Sequence, residues 1–276
     1  MESDDIRSTD LLGCVERMPI RYYGGKWRLA DWIIPMMPKH GHYVEPCGGG
    51  ASVLLQKPRA LVETYNDIEG EVVNFFRVLR DRPDEVVRVI KLTPWAREEY
   101  EIRLEPATDE IERARRFWMR SWMSIGASNK ADGFRVSKDA ASQPARMLLE
   151  IDYLNAVAER LRGVQIERLD ALECIERYDG NDTLIYFDPP YITETRSHKN
   201  QYAHECGDEW HRHAAELLRK VKAHVIVSGY ACPLYDEIFD GWERKDRETL
   251  CNSAQTRTES VWLNPRTTKE RGEWLW

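Results

Sequence analysis

Short apolar runs alternate with amphipathic helical patterns along most of the chain. An apolar run bounded by turn residues predicts a buried strand, and apolar positions that recur every three or four residues predict a helix. This alternation is typical of a mostly parallel sheet covered by helices. We predict strands at residues 43–47, 61–66, 164–169, 183–188, 224–228, 242–247 and 260–264, and helices at residues 27–36, 69–79, 208–222 and 233–239.

Residues 83–162 interrupt this alternation, because they contain helical patterns and no convincing strand. An apolar stripe runs along part of this segment at helical spacing: Ile111, Ala114, Trp118, Trp122 and Ile125. Some eighty residues are too many for an ordinary crossover between strands. We therefore expect an α/β domain formed by residues 15–82 and 163–276, an inserted helical lobe at 83–162 and a flexible tail at 1–14.

Composition narrows the class of protein. With 276 residues, 42% of them hydrophobic, the chain can bury a large core. No apolar run is long enough for a membrane span, and the acidic N-terminus lacks the apolar stretch of a secretory signal. We therefore expect a soluble, cytoplasmic protein. The six cysteines form no CxxC pair, and Cys206, His211 and His213 lack a fourth ligand, so we expect reduced thiols and no metal.

Charge is unevenly distributed along the chain. The formal net charge is -7, which argues against a protein that coats nucleic acid. Residues 113–138, however, contain seven basic side chains and one acidic side chain, Asp132. Binding to DNA depends on local basic density rather than on the total. The basic segment is therefore compatible with an enzyme that acts on DNA.

The sharpest motif is Asp188-Pro189-Pro190-Tyr191, which follows an apolar strand. The prolines must end the strand, because proline offers no hydrogen-bond donor to a sheet. The Asp188 carboxylate and the Pro189 carbonyl then lie at the carboxyl edge of the sheet, where α/β proteins bind ligands. Together they can accept both N–H groups of a planar exocyclic amine while Tyr191 stacks on the base. The alternative is a proline turn that merely ends the strand.

A second motif, Tyr43-Val-Glu45-Pro-Cys-Gly48-Gly-Gly, predicts a first strand, a glycine turn and a helix at residues 51–56. Glycines let a ligand approach the backbone closely. The spacing fits neither the dinucleotide fingerprint nor the phosphate-binding P-loop. Asp67 follows Glu45 by 22 residues, at the end of the next strand. Because an acid at this spacing typically binds ribose hydroxyls, a cofactor that carries a nucleoside is favoured.

A third motif, Arg21-Tyr22-Tyr23-Gly24-Gly25-Lys26, lies near the N-terminus. Its two glycines predict a tight turn, and Lys26 can donate a charge-assisted hydrogen bond to a carboxylate. Taken alone, the motif is more often an ordinary glycine turn.

In this order the three motifs resemble those of the Dam-like N6-adenine DNA methyltransferases, which use S-adenosyl-L-methionine. The resemblance covers most of the chain outside residues 83–162, with weaker matches at 166–170, 225–230 and 257–264. It implies a Rossmann-like methyltransferase sheet, mostly parallel with one antiparallel strand near the C-terminus, and a helical lobe that recognises the DNA target. The chain departs from the family at Cys47, where an aromatic residue is usual.

The resemblance also implies roles for individual residues. The catalytic motif would comprise Asp188, Pro189, Pro190 and Tyr191. The cofactor site would comprise Tyr22, Tyr23, Gly25, Lys26, Glu45, Pro46, Cys47, Gly49, Asp67, Ile68, Asp170, Ala171 and Asp188. Within it, Tyr22 and Lys26 would contact the methionine part, Asp67 the ribose and Asp170 the adenine ring.

The expected substrate is double-stranded DNA, from which the target adenine must be flipped out of the base stack. We expect the following side chains to contact DNA: Arg120, Lys130, Arg135, Lys138 and Arg196. The family includes enzymes of restriction-modification systems. The sequence leaves open the recognition site, a partner restriction enzyme and the oligomeric state, a monomer included.

Other activities compete with methylation of adenine N6. Methylation of cytosine C5 needs a nucleophilic cysteine, and Cys47 lies inside the glycine turn, away from a target base. Methylation of cytosine N4 uses the same acceptors and stays open, as does a catalytically silent DNA-binding module with the same fold. A silent module has no need for Lys26, Asp67, Asp188 and Tyr191 together. RNA and protein-glutamine methylases share the Pro-Pro-Tyr turn but have less reason for a basic lobe.

Overall fold

The computed structural model describes residues 14–125, 133–139, 144–192, 206–250 and 256–271. Seven strands within these ranges form one sheet: β1 (His42–Glu45), β2 (Val62–Asn66), β3 (Gln165–Glu167), β4 (Thr183–Phe187), β5 (His224–Tyr230), β6 (Glu243–Leu250) and β7 (Thr256–Leu263). All the predicted strands are present, with ends that differ by a few residues.

The sheet has the strand order β3-β2-β1-β4-β5-β7-β6. Neighbouring strands from β3 to β5 run parallel, whereas β7 is antiparallel to both β5 and β6. The predicted fold, a mostly parallel sheet with one antiparallel strand near the C-terminus, is therefore confirmed. Because the strand order reverses between β1 and β4, the chain leaves these strands in different directions and opens a crevice at the carboxyl edge of the sheet.

Helices connect the strands. They are α1 (Ala30–Ile33), α2 (Gly70–Asp81), α3 (Pro83–Lys91), α4 (Arg97–Ile102), α5 (Glu110–Met123), α6 (Leu154–Leu161), α7 (Ala171–Tyr178), α8 (Asp208–Leu218), α9 (Pro233–Ile238) and α10 (Pro265–Glu270), with 3-10 helices at Ile34–Met36 and Pro144–Tyr153. The predicted helix at 27–36 is only partly α-helical. Pro35 lies at the start of the 3-10 turn, where its missing N–H costs no α-helical hydrogen bond.

Each face of the sheet has its own core. Alternate side chains of a strand point to opposite faces, so Tyr43 and Leu184 join one core while Val44 and Ile185 join the other. The first core includes residues of α2, α3, α5 and α6, and the second includes residues of α7, α8 and α9. Central strands that are buried on both faces require the continuous apolar runs seen in the sequence.

Residues 51–56 form consecutive turns, so the predicted helix there is wrong. The backbone amide of Leu54 donates to the Glu45 carboxylate at 3.2 Å, and the helical ladder is interrupted at that point. Ala51 also has a φ of 53°, a left-handed conformation that a helix does not contain.

In the segment 83–162, the described residues form helices and a single isolated bridge, between Ser124 and Phe134. The predicted apolar stripe is correct for Ile111, Ala114 and Trp118, which are buried in α5. It is wrong for Ile125, which is 59% exposed because α5 ends two residues earlier. The lobe shares its core with α2 and the sheet, and its role as a separate recognition domain stays a proposal.

No helix among the described residues combines the length and the apolar character that crossing a membrane requires.

A buried ion triad ties α6 to the sheet. Arg160 donates to both oxygens of Glu63 at 2.6 and 2.9 Å, and Lys57 donates to the same carboxylate at 2.8 Å. The three side chains are at most 3% exposed. Removal of one member of such a group leaves an incompletely compensated charge inside the protein.

We expect Arg160→Met to lower the free energy of unfolding by about 3–5 kcal/mol, because Glu63 stays buried with only part of its compensation. Urea denaturation measures the change. The control is Arg162→Met, whose pair with Glu159 is 72% and 68% exposed and should contribute no more than about 1 kcal/mol. Equal effects of the two substitutions would contradict this account of the triad.

Candidate active site

A cleft lies at the carboxyl ends of β1, β2 and β4. It encloses about 900 Å³ of empty space, solvent at its mouth included, which is in the range of ligand sites. All residues predicted to bind a cofactor line it: Tyr22, Tyr23, Gly25, Lys26, Glu45, Pro46, Cys47, Gly49, Asp67, Ile68, Asp170, Ala171 and Asp188. Pro189 and Pro190 also line the cleft, so the three motifs meet in one place.

Asn66 holds the ends of three strands together beneath this cleft. Its amide nitrogen donates to the carbonyls of Pro46 at 2.7 Å and Leu169 at 3.1 Å, and its amide oxygen accepts from the Leu169 N–H at 2.7 Å. Asn66 is fully buried, so each of these bonds is shielded from water. The sequence analysis missed this residue, although a polar side chain at the end of an apolar run was a usable signal.

Asp67 is fixed by the backbone of the glycine turn. Its two carboxylate oxygens accept from the N–H groups of Gly49 and Glu69, both at 2.8 Å. Burial raises the pKa of Asp67 to about 6, and the backbone N–H groups only partly oppose this. The turn requires glycine at position 48, where an added Cβ would lie 2.2 Å from the Tyr65 ring.

Asp188 is held from two sides at the end of β4. The Ser228 hydroxyl of β5 donates to it at 2.7 Å, and the Lys26 ammonium lies 2.8 Å away. Lys26 is itself only 3% exposed and also donates to the Gly24 carbonyl and to the Tyr191 hydroxyl. Burial alone would lower the pKa of Lys26, but the nearby carboxylates outweigh it and raise this pKa above its ordinary value. Lys26 therefore stays charged.

Tyr191 differs from the rest of its motif because it does not line the cleft. Its side chain is 5% exposed, its hydroxyl donates to Glu259 at 3.2 Å, and its ring centroid lies 4.4 Å from that of Tyr230. The predicted stacking of Tyr191 on a base stays a prediction.

Among the described residues, the charged side chains that line the cleft are mostly acidic. They are Glu45, Asp67, Glu69, Asp170 and Asp188, with Lys26 as the one basic side chain. Burial, with the neighbouring Asp188, raises the pKa of Glu45 well above its usual range. Glu69 is compensated by Arg120, whose guanidinium donates to it at 2.7 Å, and by the Tyr22 hydroxyl at 3.1 Å. Asp170 caps the N-terminus of α7 by accepting from the Leu172 N–H.

Most of the basic side chains on α5 are paired. Arg113 binds Glu71, Arg115 binds Glu99 and Glu112, and Arg116 binds Glu112, all at 2.6–2.7 Å. Arg120, which we expect to contact DNA, forms an ion pair with Glu69, and its side chain is 17% exposed. The four basic side chains of α5 are thus offset by acids that lie outside residues 113–138 in sequence. The contact of Arg120 with DNA stays a prediction.

A second group of cations is closer to the surface beside the cleft. Arg97 is exposed, with its guanidinium 5.2 Å from the centre of the Phe134 ring. Arg21 donates to the Ser124 carbonyl at 3.0 Å, and burial together with the nearby Arg135 lowers its pKa. Within the described residues, no carboxylate pairs with Arg97 or Arg135.

Of the other expected DNA contacts, Lys138 is exposed near this group, whereas Lys130 and Arg196 lie outside the described residues.

Trp210 is a cleft residue that the sequence analysis did not assign. It lies at the start of α8, and its ring stacks on Phe187 with the centroids 5.9 Å apart. The described residues contain no group of three or more histidines, cysteines or acids arranged to hold a metal ion.

The model of the D12 class N6 adenine-specific DNA methyltransferases matches residues 22–253 of this chain. The Type II methyltransferase M1.LlaDCHI of Lactococcus lactis subsp. cremoris is 27% identical over 262 residues, which cover 86% of this chain and 89% of that protein. The Type II methyltransferase M.MjaIII of Methanocaldococcus jannaschii is 21% identical over 259 residues, which cover 82% and 89%.

Among solved structures, the putative methyltransferase yhhF from Escherichia coli has 10% identity and a TM-score of 0.33, and the match covers 88% of this chain and 97% of that one. This likeness is too weak to add to the argument. The family match extends over most of the chain and includes all three motifs that meet in the cleft. The protein therefore belongs to the D12 class of N6 adenine-specific DNA methyltransferases and is a DNA adenine methyltransferase.

Proposed function

We propose that this protein transfers a methyl group from S-adenosyl-L-methionine to the N6 amine of an adenine flipped out of double-stranded DNA. The observation that carries the proposal is Asp188, a carboxylate fixed by Ser228 and Lys26 in the wall of the cleft that also contains Asp67. Adenine-specific DNA methylation is the activity of the family. The methyl donor, the duplex substrate and the residue roles are the parts that we add.

The charge of the cleft favours this methyl donor. S-adenosyl-L-methionine carries a sulfonium and an ammonium against one carboxylate, so its net charge is positive. A phosphorylated nucleotide would instead meet the carboxylates of Asp67, Asp170 and Asp188, and among the described residues of the lining only Lys26 would attract it. The residues present therefore fit the donor, which supplies an electrophilic methyl group when bound. Asp67 would accept its ribose hydroxyls, and Asp170 would lie near its adenine.

At the target base, Asp188 and the Pro189 carbonyl would accept the two N6–H groups. These bonds orient the amine and weaken the delocalisation of its lone pair into the ring. An exocyclic amine is a poor nucleophile, so the rate gain must come from alignment and electrostatic complementarity. The N6–C bond forms as the S–C bond breaks, and the proton that N6 loses leaves to solvent.

Extrusion of the base costs a few kcal/mol of stacking and pairing energy. Tyr191 is our candidate for the side chain that stacks on the flipped adenine. We propose that Arg135 and Lys138 contact the DNA backbone together with Arg21 and Arg97, because no ion pair within the described residues joins any of these cations to an acid. Lys130 and Arg196 stay candidates from the sequence alone, and residues 83–162 stay our proposed recognition lobe.

We propose a cytoplasmic location, which would give the protein access to DNA.

Asp188→Ala should abolish methyl transfer, because the target amine loses its charged acceptor. Turnover of DNA with a labelled methyl donor measures the effect, and a melting curve checks that the protein stays folded. Asp182→Ala, an exposed acid next to β4, is the matched control and should keep its activity. Turnover by Asp188→Ala near the wild-type value would rule out the mechanism.

Cofactor affinity should depend on pH through Asp67, whose pKa is about 6 in the free protein. Ribose hydroxyls donate to the charged carboxylate, so binding favours the deprotonated form. The affinity is therefore constant above pH 6 and falls below it, by at most about tenfold per pH unit. Calorimetry with S-adenosylhomocysteine checks this. Asp67→Asn should bind more weakly and flatten the profile, and an unchanged profile would contradict the role of Asp67.

Arg135→Ala should weaken binding to duplex DNA while leaving cofactor affinity unchanged, and the wild-type salt dependence should become shallower by about one phosphate contact. A fluorescence titration with labelled DNA at several salt concentrations measures both effects. Arg113→Ala, which removes an arginine already paired with Glu71, serves as the control. Equal DNA affinity of Arg135→Ala and wild type would remove Arg135 from the interface.

A further inference from the structure

Glu259 lies at the active-site end of the sheet although it is far from the three motifs in sequence. It belongs to β7 and lies opposite Tyr230 of β5 in the antiparallel register. Because β7 runs against β5, a residue early in β7 lies beside the carboxyl end of β5. The Glu259 side chain is buried, at 7% exposure.

The Glu259 carboxylate is connected to Asp188 through two side chains. It accepts from the Tyr191 hydroxyl at 3.2 Å, and the Tyr230 hydroxyl also hydrogen-bonds to it. The Tyr191 hydroxyl in turn accepts from Lys26, whose ammonium lies 2.8 Å from Asp188. The hydrogen-bonded groups therefore follow one another in the order Glu259 carboxylate, Tyr191 phenol, Lys26 ammonium and Asp188 carboxylate.

Buried Glu259 and partly exposed Asp188 thus share one buried cation. Burial raises the pKa of Glu259, and the charge of Lys26 opposes this. Asp188 and Glu259 are the first two groups that raise the pKa of Lys26. In a buried site these interactions are strong, so removal of one carboxylate changes the charge that the other must balance.

This sharing matters because Asp188 must keep an acceptor for the target amine. If Asp188 were the single counter-ion of the buried Lys26 ammonium, Lys26 would bind Asp188 more strongly. It would then compete with the target amine for the Asp188 oxygens. We propose that Glu259 is a positioning residue for methyl transfer: it holds Tyr191 and shares the charge of Lys26. Asp188, whose two oxygens lie 2.8 and 3.0 Å from the Lys26 ammonium, thereby keeps a lone pair available to accept from N6. The inference rests on the proposed function, in which Asp188 accepts from that amine.

Glu259→Gln tests the proposal, because glutamine keeps the shape and can still accept from Tyr191 but removes the charge. We expect kcat to fall by about tenfold or more, while the Kd for S-adenosylhomocysteine changes by less than about twofold. Glu248→Gln, an exposed carboxylate on the neighbouring strand β6, is the control and should leave kcat unchanged.

A double-mutant cycle with Lys26→Gln separates positioning from a merely structural role. If Glu259 acts through Lys26, adding Glu259→Gln to Lys26→Gln lowers kcat by less than about twofold further. Independent, multiplying losses would overturn the inference, as would a wild-type kcat in Glu259→Gln. If Glu259→Gln folds poorly, Tyr191→Phe interrupts the same link and must lower kcat, and an unchanged kcat would overturn the inference.

Failure of the proposed function has a different signature. In that case the wild-type protein gives no N6-methyladenine, or Asp188→Ala transfers methyl groups as the wild type does. If only the inference about Glu259 fails, the wild type and Asp188→Ala behave as expected and Glu259→Gln keeps its kcat.

Discussion

The catalytic end of the sheet depends on one buried ammonium, that of Lys26. A charge removed from water is costly, and it persists here because Asp188 and Glu259 are close enough to compensate it. The same contacts join three distant parts of the chain, namely the N-terminal motif, the end of β4 and the start of β7. A change in any of them therefore alters the position of the acceptor that methyl transfer needs.

The charge of the cleft also bears on which ligand this fold can bind. The Rossmann-like crevice commonly binds phosphorylated nucleotides at helix N-termini, where backbone N–H groups attract anions. In this protein, acids at the strand ends line the crevice, and Asp67 accepts from the N–H of Gly49 in the glycine turn and from the N–H of Glu69 before α2. Those N–H groups are consequently unavailable to a phosphate. A cationic methyl donor fits this environment better than a dinucleotide does.

Much of the fold and the cleft could be predicted because the information is local. Asp67 and Asp188 each follow an apolar run that predicts a parallel strand. Because parallel strands have their carboxyl ends at the same edge of the sheet, the sequence predicts both carboxylates at that edge. Trp210 and Glu259 could not be assigned, since their partners lie far away in sequence. The count of charges within residues 113–138 did not predict the pairing of the basic side chains, because their acidic partners also lie elsewhere in the sequence.

The failure of charge counting is clearest on α5. Arg113 and Arg120 pair with Glu71 and Glu69 near the start of α2, an approach that only the packed structure reveals. The exposure of Ile125 has a similar origin, because the end of α5 is fixed by the bridge to Phe134 rather than by the apolar spacing.

The central claim is that a fixed carboxylate presents an exocyclic amine of DNA to a sulfonium methyl donor. Incubation of the purified protein with S-adenosyl-L-methionine labelled in its methyl group and duplex DNA of mixed sequence, followed by nucleoside analysis, tests it most directly. The account predicts label in N6-methyl-2′-deoxyadenosine and in no other nucleoside. Label on a ring carbon, or none in DNA that the protein demonstrably binds, would contradict it.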